Sequence, residues 1–144
     1  MQTEIISPPR TFDLKSIGLT ILAFMVASFG VQALSHFVIN VSHYAGISIM
    51  RTEPIIPLGI LAMVVQGAIL GILFQRIQMN GSVMRNALMF SLMMGLFLAI
   101  YIAVVEPSKY IVPSIGAWVL VEGIASTVQF GLFGVLLGLI HRKS

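Results

Sequence analysis

Residues 114–143 read SIGAWVLVEGIASTVQFGLFGVLLGLIHRK, and between Ser114 and His141 the only formal charge is Glu122. A helix that crosses a hydrocarbon core about 30 Å thick needs roughly 20 predominantly apolar residues. This stretch exceeds that length. It opens with a serine suited to cap a helix N-terminus and closes on His141-Arg142-Lys143. Working outward from it, the chain divides into membrane spans at about 16–41, 54–76, 85–106 and 114–140. The first holds no formal charge, the second is closed by Arg76, and the third is opened by Arg85 and closed by Glu106. Only helices and closed barrels satisfy their backbones in lipid, and these runs lack the alternation of barrel strands. The expected fold is all-α: a four-transmembrane-helix bundle with short loops, forming a single domain over 16–144 behind a polar tail, 1–15.

Composition agrees. Hydrophobic residues make up 58% of the 144 and charged residues 9%, where a soluble domain carries about a quarter charged. Lipid must solvate most of the surface. The net charge of +3 is scattered singly at the ends of apolar runs, unlike the clustered basic face of a nucleic-acid binder. With no cysteine, disulfides, thiolate metal sites and a thiol nucleophile are excluded. The apolar run after Lys15 is far longer than the roughly 7–15 residues of a signal-peptide core, so it reads as an uncleaved first span.

Orientation follows from Lys and Arg. Arg10, Lys15, Arg76, Arg85, Arg142 and Lys143 lie on one side, against Arg51 and Lys109 on the other. This predicts cytoplasmic termini in a multi-pass inner-membrane protein. Tyr44, Tyr101, Tyr110 and Trp118 then fall near the outer ends of the helices, as an interfacial belt would, while the inner surface has only Phe. Both outer loops contain Glu-Pro, at Glu53-Pro54 and Glu106-Pro107. This hints at a duplicated hairpin, in which either Gln66-Gly67 pairs with Glu122-Gly123 or Gly71 pairs with Gly134.

Small residues recur in the second and fourth spans. Gly67-Ala-Ile-Leu-Gly71 and Gly134-Val-Leu-Leu-Gly138 are patterns that let helix backbones approach closely in lipid. They pack either within the bundle or against a second copy or a partner. Methionines around the third span, including Met84 and Met89, are read as adaptable core filler in preference to Cu(I) ligands.

The polar residues inside the spans are the informative ones. Gln32, His36, Asn40 and His43 fall within about 80° of one face at 100° per residue. Glu122, Ser126 and Gln129 share a face of the fourth span, and Gln66 lies near the midplane of the second. A charged side chain at mid-membrane costs about 2.5–3.5 kcal/mol on insertion scales. These faces should therefore turn inward together, with His36 as the partner of Glu122. A Glu–His hydrogen bond can be structural glue worth about 1–2 kcal/mol, or the pair can handle a proton or cation. His36 and His43 stand about 10.5 Å apart along the axis, too far to share an ion, so no metal site is predicted. Both membrane histidines lie on one helix, which argues against bis-His haem, and no cofactor is predicted. No metalloprotease pair, hydrolase triad or phosphate-cradling loop is present, so there are no catalytic candidates.

His36, Tyr44, Arg51 and Pro54 around the first outer loop, Arg85 and Tyr101 in the third span, and Trp118, Glu122-Gly123 and Gly134 in the fourth carry a resemblance. The chain resembles a loosely defined group of small bacterial four-helix membrane proteins with no assigned function. The resemblance implies the same topology and a bacterial inner membrane; it implies no activity. Two function classes follow. The leading one is a non-enzymatic membrane subunit or interaction protein whose glycine faces dock itself or a larger complex. The alternative is a small proton- or cation-coupled transporter or channel using Glu122 and His36.

Overall fold

Helix α1 (Leu14–Leu34) starts at Asp13 because that side chain satisfies the first free backbone N–H groups. Its Oδ1 accepts from the amides of Lys15, at 3.0 Å, and Ser16, at 3.2 Å. The Ser16 hydroxyl donates to Oδ2. These bonds, the Ser16 hydroxyl first, hold the Asp13 carboxyl below its ordinary range, and its negative charge complements the helix dipole. Past Leu34 the helix widens into a π-helical turn, Ser35–Ile39, breaks at Asn40 and resumes as the short α2 (Val41–Ala45). Helix α3 (Ile56–Arg76) carries Pro57 in its first turn, where no N–H is needed. Helix α4 (Val83–Ile100), capped by Ser82, runs into a second π-helical turn, Tyr101–Val105, and a 3₁₀ turn, Glu106–Ser108. Helix α5 (Ile115–His141) is capped by Ser114, whose Oγ accepts from the Ala117 amide at 3.3 Å, as expected.

These elements come from a computed structural model that describes residues 11–51, 53–77 and 79–142. Arg10 and Lys143 of the charge count, and most of the N-terminal tail, lie outside the described residues. Among the described residues, four helices are long and apolar enough to cross a membrane, those built on α1, α3, α4 and α5. The chain is an all-α, four-helix, multi-pass membrane protein. Its outward faces are apolar, with Val26, Phe97 and Leu120 among the exposed side chains.

Contacts at the helix ends set the topology. Asp13 and Gln75 exchange hydrogen bonds, amide to Oε1 and Nε2 to carbonyl, both at 3.0 Å. The Arg76 guanidinium lies 4.1 Å above the Phe12 ring. His141 comes within 3.5 Å of Thr20 Oγ1 and meets Phe74 edge-on. The start of α1 therefore meets the ends of α3 and α5, and we call this the termini end. The opposite end, with Tyr44 and Trp118, is the tyrosine end. Helix α1 packs on α3 and α5, and α5 packs on α4. Helices α3 and α4 meet through Phe74 and Phe90, with ring centroids 5.4 Å apart. Between the layers Phe24, Phe130 and Phe133 interlock, with Phe24 edge-on to Phe133 at 5.1 Å.

The close-approach glycines are consumed inside the chain. A Cβ on Gly67 would lie 2.9 Å from Ile21 Cα, and one on Gly134 would lie 3.1 Å from Leu88 Cα. Gly71 faces Thr20 and Gly138 faces Met84. These four faces are therefore occupied by α1 and α4 and are not open to a second copy or a partner.

Candidate functional site: a polar site inside the membrane

Glu122 lies two turns into α5, about 10 Å along the axis from its start at 1.5 Å per residue, and is 5% exposed. Its Oε1 accepts a hydrogen bond from the Tyr44 hydroxyl at 2.7 Å. Among the described residues Glu122 forms no ion pair with Lys, Arg or His. The partner expected from the sequence was His36, and this is corrected. The His36 ring stacks on Tyr44, centroids 3.7 Å apart and planes 11° from parallel. Its Nδ1 donates to the Gln32 carbonyl at 3.0 Å. His36 thus reaches Glu122 only through the ring it supports.

The reason is the break in the first span. The π-helical turn and Asn40 fold α2 back, so that Tyr44 OH also comes within 3.4 Å of Ser35 Oγ. Asn40 holds the bend by donating from Nδ2 to Ser35 Oγ at 3.0 Å. Burial pushes the Tyr44 phenol above its ordinary value; the Ser35 hydroxyl pulls against that rise and Glu122 adds to it. His43 packs its ring edge-on to Tyr44 and near Trp118, and its Nε2 is buried without a hydrogen-bond partner. Trp118 Nε1 donates to the Ile102 carbonyl at 2.9 Å, tying α5 to the second π-helical turn. Glu106 is half-buried at the end of that turn. Arg51 and Glu53 are exposed.

A second polar group lies deeper. Gln32 Nε2 donates to Gln129 Oε1 at 2.8 Å, and Gln129 Nε2 donates to Ser28 Oγ at 2.9 Å. These side chains, with Gln66 and Ser126, face a cavity of about 350 Å³ to which α1, α3, α4 and α5 all contribute. The expected convergence of polar faces from α1, α3 and α5 therefore holds, but in two layers. Gln32, Gln66, Ser126 and Gln129 join in the cavity, while Glu122, His36, Asn40 and His43 gather around Tyr44. Sequence reasoning missed Tyr44, Ser35 and Ser28. Ser28, Gln32 and Ser35 repeat the i, i+4, i+7 spacing of Glu122, Ser126 and Gln129, so that pattern could have revealed both serines.

Among the described residues, no three of His, Cys, Asp and Glu converge as a metal site would require. What the arrangement offers chemically is a carboxyl group in a membrane span whose direct partner, among the described residues, is a neutral hydroxyl donor. Comparison with known proteins finds no matching family, no match among curated proteins and no match among solved structures.

Proposed function

We propose that this chain is a small proton- or cation-coupled transporter in which Glu122 takes up the proton or cation. The observation that carries this reading is the buried Glu122 carboxyl, bonded among the described residues to Tyr44 and to no cationic side chain. A charge so placed is costly, and it is relieved by binding a proton or a cation. The scatter of Lys and Arg supports an orientation in which the tyrosine end faces outward and the termini lie in the cytoplasm, in a bacterial inner membrane as the resemblance implies. Glu122→Gln in proteoliposomes should abolish pH-dependent flux while the protein still elutes as a folded species. No flux in the parent, or unchanged flux in the variant, sinks the reading.

One observation favours a second reading, an interaction protein that forms a homo-oligomer or joins a larger membrane complex. A Cβ added to Gly116, Gly123 or Gly131 would meet nothing within 4 Å, and the three lie within about 80° on α5. That open face replaces the glycine faces now known to be filled. Native mass spectrometry of gently solubilised protein decides: a bare monomer counts against it, and Gly123→Leu should dissociate any complex made through this face.

A further inference from the structure

We propose that the mid-membrane cavity is a binding chamber for a small uncharged solute carrying both hydrogen-bond donors and acceptors, of the chemistry of a short polyol. The proposal stands whether or not Glu122 moves a proton. The cavity, about 350 Å³, falls within the range of roughly 300–1,000 Å³ typical of ligand pockets. Its polar groups are Ser28, Gln32, Gln66, Ser126 and Gln129, all neutral. An ion in this chamber would find no opposite charge to offset its desolvation. A neutral solute would find ready partners.

The hydrogen bonds already made define what is left over. Gln32 and Gln129 are locked in orientation by the chain that ends on Ser28, which leaves Gln32 Oε1 as an acceptor. The Gln66 amide makes no hydrogen bond among the described residues, nor does the Ser126 hydroxyl, although Ser126 is 5% exposed. Both residues line the cavity and keep accessible polar atoms there, and at membrane depth no lipid group can serve as their partner. A ligand or water inside the chamber would satisfy both. Toward the termini end Phe24 and Phe130 close the floor, backed by Phe133. Exposed Gly59, in the first turn of α3, lies at the rim, which places the mouth toward the tyrosine end.

The chain has no cysteine, so Ser126→Cys supplies a single thiol inside the chamber. In proteoliposomes it is treated with methyl methanethiosulfonate, which is uncharged, and with the trimethylammonium-bearing analogue. Rates are corrected for reaction with a free thiol. The thiolate attacks the thiosulfonate sulfur, forming a mixed disulfide and expelling methanesulfinate, so Thr127→Cys, on the exposed side of α5, should stay protonated and unreactive in lipid. Ser126→Cys should react at least tenfold faster with the uncharged reagent. Molar glycerol should slow that reaction at least threefold, and Gln66→Leu should remove the protection. An unreactive Ser126→Cys, equal rates with both reagents, or no protection by glycerol overturns the proposal. If Ser126→Cys fails to fold, Gly59→Cys at the open rim carries the same comparison. Repeating it with Glu122→Gln present separates the two readings: labelling and protection should persist even where flux is lost.

Discussion

Replacing Tyr44 by Phe removes one oxygen and leaves the ring that His36 stacks on. The lost interaction is a 2.7 Å bond between two groups that are 7% and 5% exposed. Leaving a buried acceptor short of its donor costs about 1–3 kcal/mol in water-soluble proteins. In membranes the measured couplings are smaller, about 0.6 kcal/mol on average and about 1.7 at most, because the unfolded chain also finds partners. Tyr44→Phe should therefore destabilise by about 0.5–1.5 kcal/mol. Combined with Glu122→Leu in a double-mutant cycle, it should give a coupling of about 1 kcal/mol. Glu122→Gln retains an oxygen able to accept from Tyr44 and should be nearly neutral in stability. That contrast separates glue from chemistry, since Glu122→Gln should abolish flux without unfolding the bundle. The assay is reversible unfolding in mixed micelles at fixed detergent ratio. A coupling below about 0.3 kcal/mol would refute the claim that Tyr44 is the partner that matters.

Other perturbations test the frame around the site. A Cβ on Gly95 would lie 2.6 Å from Phe130 Cβ and Cγ, so Gly95→Ala should cost about 1–3 kcal/mol through overpacking, whereas Gly123→Ala should change stability by less than about 0.5 kcal/mol; the same unfolding assay reads both. The Tyr44 phenol is raised above 10.0 by burial and by Glu122. The folded state thus holds that proton more tightly than the unfolded one, and the stability it contributes is present below pH 10 and lost as pH rises further. Tyr44→Phe should abolish that alkaline limb. Asp13 has the opposite sign: its carboxyl lies below 3.8, so its contribution is present above that value and lost as pH falls, and Asp13→Asn should flatten the acid limb. Deleting Val38, which is 67% exposed, should convert the π-helical turn to α-helix and rotate Tyr44 by about 100°; the Tyr44–Glu122 coupling should vanish while helical content by circular dichroism stays unchanged.

The spans were legible because length and hydropathy alone define them, and the Ser114 cap was legible because its chemistry is local. The convergence of Gln32, Gln66 and Gln129 was legible as well. Lipid penalises every outward-facing amide, so helical periodicity alone indicates which faces turn in. The fate of the glycines was not, because Gly67 and Gly123 look alike in sequence and differ only in what stands opposite. Gly67 meets the α1 backbone at Ile21, and Gly123 meets nothing. Small residues set how near a neighbour can come, and the loops and bundle order determine which neighbour comes.

Tyr44 was illegible for a sharper reason. On a straight helix, residues 35 and 44 lie about 180° apart in azimuth and about 13 Å apart along the axis, yet Ser35 Oγ and Tyr44 OH are 3.4 Å apart. Constant periodicity therefore assigns Tyr44 to the lipid interface, where a tyrosine is unremarked. The π-helical turn cancels that assignment by inserting a residue, and Asn40 turns the inserted slack into a bend by bonding Ser35. The second π-helical turn stands across the site and offers the Ile102 carbonyl to Trp118. Both departures from regular helix thus occur at the tyrosine end, beside the one formal charge in the interior of α5. The two irregular turns supply Glu122 with its donor and anchor the tryptophan one turn from it, which ties the placement of the acid to the geometry that departs from the rule.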